Sequence, residues 1–140
     1  MAKEALDKSI GFVSDGNGYY EDGSYIDHGN LAYTGGYGST LLGGIEKLLF
    51  IVDGSPWEVA DDKLTSIFQW IWTGIRPLYA DGAMMDMTTG RGIARPSTND
   101  QTVGRGLLKP VSHLADIAPA DEREAFRAFA KTGNPGRARI

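Results

Sequence analysis

The stretch from Asp22 to Gly38, DGSYIDHGNLAYTGGYG, constrains the fold more than any other part of the chain. Gly23, Gly29, Gly35, Gly36 and Gly38 crowd it together with a histidine, aspartates and tyrosines. Glycine loses more conformational entropy on ordering than any other residue, so a run this dense does not build a core. It reads instead as an ordered loop that brings backbone and polar side chains close to a ligand. A second irregular polar stretch, DGAMMDMTTGRGIARP, occupies residues 81–96. The rest of the chain must fold around these two.

The rest reads as helix. Residues 3–13 place Ala5, Leu6, Ile10 and Phe12 loosely on one helical face, in an element that begins inside itself, as though sequence were missing upstream. Ser14 to Gly18 is turn chemistry. From Ser39 to about Val52, Leu41, Leu42, Ile45, Leu48, Leu49 and Val52 recur as an apolar stripe. Gly43 and Gly44 inside it each cost roughly 1 kcal/mol against alanine, which predicts close approach of a neighbouring helix. Asp53-Gly54 ends this helix, and Ser55, Pro56 and Glu58 have the spacing of a capped start for the next. That helix carries Val59, Leu64, Ile67, Phe68 and Ile71 and ends near Pro77, so the two form an antiparallel hairpin.

In the second polar stretch AMMDM reads as a short strand and TTGRG as a turn. A helix from Ser97–Asp100 to about Ile117 turns Val103, Leu107, Leu108, Val111 and Leu114 inward, with a kink expected at Pro110. A last helix, Asp121 to Lys131, has acids in its first turn, Phe126 and Phe129 on its apolar side and Gly133 past its end. The tail GNPGRARI reads as frayed. The fold class is therefore all-α: helical hairpins, a central loop 13–38, a second site loop 80–96, and at most a short strand pair.

Length and charge set the outer limits. A chain of 140 residues is one domain or a piece of a larger one. A net charge of -4 and a pI near 5.1 argue against a nucleic-acid partner. Cysteine is absent, which excludes disulfides, thiolate nucleophiles and thiolate metal sites. No run approaches the ~18 apolar residues of a membrane span, and the N-terminus lacks the apolar core of a signal peptide. The expectation is a soluble chain with no membrane partner, no cofactor, no metal and no export signal of its own.

Several constellations could carry chemistry, each beside a plainer reading. His28 with Tyr33 and Tyr37 makes an acid–base pair, or an ordinary loop histidine beside packing tyrosines. Arg91 and Arg95 present guanidinium forks suited to carboxylates and sulfates, or form a solvated pair on a turn or a salt bridge to Asp86. Asp22 and Asp27 could be a metal site or a paired acid and base, or turn caps. Trp57, Trp70 and Trp72 could stack on sugar rings, although Trp70 and Trp72 point to different helix faces and at least one belongs to the core. Met84, Met85 and Met87 read as packing.

DGSYIDHGNLAYTGGYGSTLL followed by MMDMTTGRGIAR resembles the catalytic region of polysaccharide lyase family 8, the hyaluronate, chondroitin AC and xanthan lyases. The nine-residue step from His28 to Tyr37 and the 63-residue step from His28 to Arg91 agree with it, and the likeness covers at least residues 20–95. The resemblance implies an incomplete α/α toroid followed by β-sandwich domains, acting outside the cell on an acidic polysaccharide. It implies β-elimination, with His28 as a base or carboxylate-stabilising residue and Tyr37 as proton donor, either alone in that role or as the base too. Arg91, Arg95, Tyr33 and Asn30 would contact substrate. Family members carry an asparagine on a helix upstream of the histidine. Here the upstream asparagine is Asn17, too close to His28 for that role, and Thr89 stands where the family often has arginine. An upstream aromatic patch and the downstream β-domains with their acidic site residue are also absent. The chain thus resembles an internal slice of a lyase, with little or no activity expected of it alone. A non-catalytic carbohydrate-binding module and a purely structural helical module are the alternatives.

Overall fold

A computed structural model describes residues 2–132. The helices lie close to where periodicity puts them. Helix α1 spans Ala2–Ser9, α2 Ser39–Val52, α3 Asp61–Gln69, α4 Asp100–Ile117 and α5 Arg123–Lys131. Gly133, read as the cap of the last helix, and the tail 133–140 lie outside the described residues.

Three local differences have clear causes. Helix α1 stops at Ser9, whose hydroxyl donates back to the Leu6 carbonyl, and Ile10 turns into the core. The third helix begins at Asp61, not Ser55; the Ser55 hydroxyl accepts the Trp57 backbone N–H at 3.1 Å, capping only a turn, and donates to the Val52 carbonyl at 2.6 Å. That bond closes the end of α2, and Asp61 and Asp62 then occupy the first turn of α3, where the helix dipole favours acids. After Gln69 the chain widens into a π-helical segment, Trp70–Ile75, and tightens into a 3₁₀ turn, Arg76–Leu78, at Pro77.

The glycine-rich stretch is more ordered than a loop. Short strands β1 (Gly18–Tyr19), β2 (Tyr25–Asp27) and β3 (Leu31–Ala32) form an antiparallel sheet in sequence order. The register sets Tyr19 opposite Tyr25 and Asp27 opposite Leu31. A second ladder pairs β4 (Tyr79–Ala80) with β5 (Ala83–Met84), so AMMDM is strand only in its first two residues. The strands exceed the single pair expected from sequence, yet none is longer than three residues and the architecture is helical.

The core runs between the helices and the first sheet. Trp70 is buried and stacks on Tyr19, ring centroids 4.7 Å apart, while Tyr25 meets Tyr19 edge-on. Leu42, Ile67, Ile71, Leu107, Val111 and Leu114 fill the space between α2, α3 and α4. Phe126 packs on Phe68 and Trp72, which seats α5. The backbone of α4 approaches α2 more closely than that of α3 does, so α2 and α3 follow one another without forming a tight pair. Gly43 and Gly44 have no neighbour within 4 Å of where a Cβ would stand, contrary to the close helix approach their presence suggested. The buried face of α2 lies elsewhere, on Leu42, Ile45, Glu46 and Leu49.

Candidate functional site

Strand β2 delivers His28. The residue leaves the sheet with φ 51, a left-handed conformation that a non-glycine residue adopts only when its surroundings enforce it. Asp27 supplies that enforcement, accepting the His28 backbone N–H at 2.6 Å and facing the imidazole Nδ1 at 2.8 Å. Asn30 lies on the exposed turn beyond, makes no side-chain hydrogen bond among the described residues and does not line the cleft described below.

The chain then enters a π-helical turn, Thr34–Gly38, which sets Tyr33 and Tyr37 side by side. Hydroxyls reinforce carbonyls of this turn that already face the Ser39 backbone N–H. Ser39 Oγ donates to the Thr34 carbonyl at 3.0 Å, and Thr40 Oγ1 donates to the Gly36 carbonyl at 3.1 Å. Tyr33 is 5% exposed, and its ring lies between Gly36 and Gly90. A Cβ at Gly36 would stand 2.4 Å from that ring, and one at Gly90 2.0 Å, so both positions need glycine. Gly90 also has φ +53. The Tyr33 hydroxyl accepts the Arg91 backbone N–H at 3.1 Å, which fastens the second polar stretch to the first.

Around this joint three rings gather. The His28 imidazole centroid is 5.1 Å from Tyr37 and 5.6 Å from Tyr33, and the two phenol rings meet edge-on at 5.0 Å. Tyr37 is 36% exposed and the His28 side chain 47%, so both reach solvent. Beside them opens a cleft of about 450 Å³ lined by Tyr37, Ser39, Thr40, Thr89, Arg91 and Arg95 among others. Arg91 and Arg95 are exposed and pair with no carboxylate among the described residues, so the bridge to Asp86 does not form. Two guanidinium groups without counter-ions at one cleft suit an anionic ligand.

Other candidates fall away from the cleft. Asp22 caps its own turn, accepting the Ser24 backbone N–H at 2.9 Å and its hydroxyl at 2.7 Å. Those bonds hold its carboxyl below the usual range. Trp70 is core, and Trp72 donates its indole N–H to Glu122 at 3.1 Å. Trp57 is exposed but outside the cleft. Met84 packs in the core as expected, whereas Met85 and Met87 are exposed. No group of three or more histidine and acidic side chains among the described residues is arranged to hold a metal ion. No helix of the described residues is long and apolar enough to cross a membrane.

Two relationships escaped the sequence reading. One is the Asp27–His28 contact, whose only signal was the dipeptide itself. The other joins α2 to α4, where His113 Nδ1 meets the buried Glu46 Oε1 at 2.5 Å. No local pattern could pair residues 67 apart.

Comparisons with known proteins point to one family. The profile of the polysaccharide lyase family 8 N-terminal alpha-helical domain matches residues 1–132. A xanthan lyase from Bacillus sp. (strain GL1) is 42% identical over 120 residues, 86% of this chain and 13% of the relative. A hyaluronate lyase from Thermasporomyces composti is 34% identical over 130 residues, 93% of this chain and 17% of the relative. The structure of the Streptomyces coelicolor chondroitin AC lyase in complex with chondroitin sulphate superposes with a TM-score of 0.84 at 33% identity. It covers 91% of this chain and 18% of that one. The chain therefore spans less than a fifth of the length of each of these proteins.

Proposed function

We propose a reaction from one premise: the chain belongs to polysaccharide lyase family 8. The reaction is β-elimination on a polymer containing uronic acid, of the hyaluronan, chondroitin or xanthan type. The observation that carries it is the convergence of His28 and Tyr37 with the unpaired Arg91 and Arg95 beside one cleft. In the step, a base takes the C5 proton, and its electron pair becomes the C4–C5 double bond. The C4–O bond breaks, and the departing glycosidic oxygen takes a proton from an acid. Tyr37 is the acid, and His28 is the base or stabilises the uronate carboxylate. A proton beside a carboxylate is hard to remove unless the developing charge is met by preorganised donors, and the arginines supply them. Tyr33 acts from beneath, holding Arg91, and Asn30 contacts substrate only from the rim.

His28 and Tyr37 stand open to water on one side, and elimination favours a site that excludes it. The reading therefore assigns the rest of the cleft to β-sandwich domains beyond this segment and expects little turnover from these residues alone. A polymer of this size does not cross membranes, which places the whole enzyme outside the cell. The open cleft also suits a second reading, a module that binds acidic polysaccharide without cleaving it.

The test is a chimera with residues 1–132 in place of the matching segment of the Bacillus xanthan lyase. On xanthan, formation of unsaturated uronate, followed by its ultraviolet absorbance, supports the lyase reading. A folded chimera that binds polymer and forms no unsaturated product overturns it in favour of the binding module.

A further inference from the structure

Asp27 is a carboxylate at the site that the elimination itself does not use. Its Oδ1 accepts the His28 backbone N–H, faces His28 Nδ1 at 2.8 Å and accepts Asn17 Nδ2–H at 3.3 Å. Its Oδ2 accepts the Tyr25 hydroxyl at 3.3 Å. The three other partners are all donors, and an ionised carboxylate can only accept. The proton between Asp27 and His28 therefore belongs to Nδ1, and the lone pair of the neutral imidazole lies on Nε2. The left-handed turn at His28 makes this contact between consecutive side chains possible. Asn17 braces the turn from the other side, its Oδ1 3.5 Å from the Gly29 backbone N–H.

We propose that Asp27 is a positioning residue that sets the tautomer and ring orientation of His28, so that His28 works through an Nε2 lone pair. The inference rests on the assignment of His28 to the elimination site and sharpens its role. A lone pair accepts a proton and does not donate to a carboxylate. Of the two roles open to His28, Asp27 selects the base. Tyr37 then remains the acid, and the arginines meet the uronate charge. The arrangement matches the general logic by which a carboxylate acceptor behind an imidazole fixes which nitrogen reacts.

The test needs no substrate, so its failure is distinct from failure of the lyase reading. The chain holds two histidines, His28 and His113, and nitrogen-15 NMR resolves their ring nitrogens. His113 is held by Glu46 and serves as an internal reference for folding. At a pH where the imidazoles are neutral, His28 should show a protonated Nδ1 and a pyridine-like Nε2. Asp27→Ala should shift the tautomer ratio towards Nε2–H by about tenfold, the factor of one charge-assisted hydrogen bond, with His113 unchanged. Asp27→Asn keeps the shape with a weaker, neutral acceptor and should shift the ratio in the same direction by less. It also decides the matter if the alanine variant fails to fold. A wild-type His28 protonated on Nε2, or a ratio unmoved in the folded variants, overturns the proposal.

Discussion

The Tyr33 hydroxyl accepts the backbone N–H of Arg91, 58 residues further along the chain, at 3.1 Å. This one bond joins the turn that presents Tyr37 to the turn that presents Arg91 and Arg95. It also explains why Tyr33, beside two reactive-looking rings, is buried. Its ring is the wedge and its hydroxyl the latch. Tyr33→Phe should keep the ring and lose the latch, costing about 1 kcal/mol of stability in urea denaturation. Hydrogen exchange at residues 88–95 should accelerate in that variant, while exchange in α4 stays as it was.

Glycines on either side of that ring should behave oppositely to those on α2. Gly90→Ala meets both a φ of +53 and a Cβ 2.0 Å from the Tyr33 ring, so it should destabilise the fold. A loss of about 2 kcal/mol or more is expected from strain and overpacking together. Gly44→Ala meets open space in a helix and should stabilise by roughly 0.5–1 kcal/mol. Thermal melts of the two variants would show the contrast, and equal effects would count against the packing described.

The link between α2 and α4 should be uneven in its two partners. Glu46 is buried and His113 is half exposed. His113→Ala leaves a buried carboxylate without its partner and should cost about 1–3 kcal/mol. Glu46→Gln keeps the volume and an acceptor oxygen for the imidazole and should cost less. A double-mutant cycle on the two positions measures the coupling directly.

Alkaline pH should weaken the fold through the tyrosine cluster under the site. Burial, then the Asp27 charge and hydrogen bond, push the Tyr25 hydroxyl up to about 12, and burial raises Tyr19 as well. A folded value above the unfolded 10.0 means the unfolded chain loses its proton first. Stability is therefore fully present below pH 10 and falls as pH rises through about 12. Urea midpoints should be flat through neutral pH and drop in that window. In Tyr25→Phe the drop should shrink and shift to Tyr19.

Catalytic assignments divide by kinetics in the chimeric enzyme. Tyr37→Phe should lower kcat by about 10²–10⁴, the range for loss of a general acid, with polymer binding kept. Arg91→Ala should chiefly weaken binding, since its guanidinium faces the cleft rather than supporting the core. Near-normal turnover in Tyr37→Phe would remove the assigned role.

Much of this molecule was legible before any coordinates. The limits of α2 and α4, the inward faces of Leu42, Leu107 and Leu114, and the placing of Phe126 and Phe129 follow from helical periodicity, a property of neighbours in sequence. The density of glycine singled out residues 22–38, and the motifs holding His28, Tyr37, Arg91 and Arg95 resemble the family to which the chain belongs. Periodicity cannot say what meets what across the fold. That Ser55 closes α2 instead of opening α3, that Gly43 and Gly44 face open space, and that Glu46 finds His113 are contacts between separate elements. The tertiary structure alone decided that Tyr33 is a strut, held between Gly36 and Gly90. It also decided that Asp27 turns back on His28. Both depend on backbone angles and on partners brought together by packing, and neither quantity is written in the order of side chains along the chain.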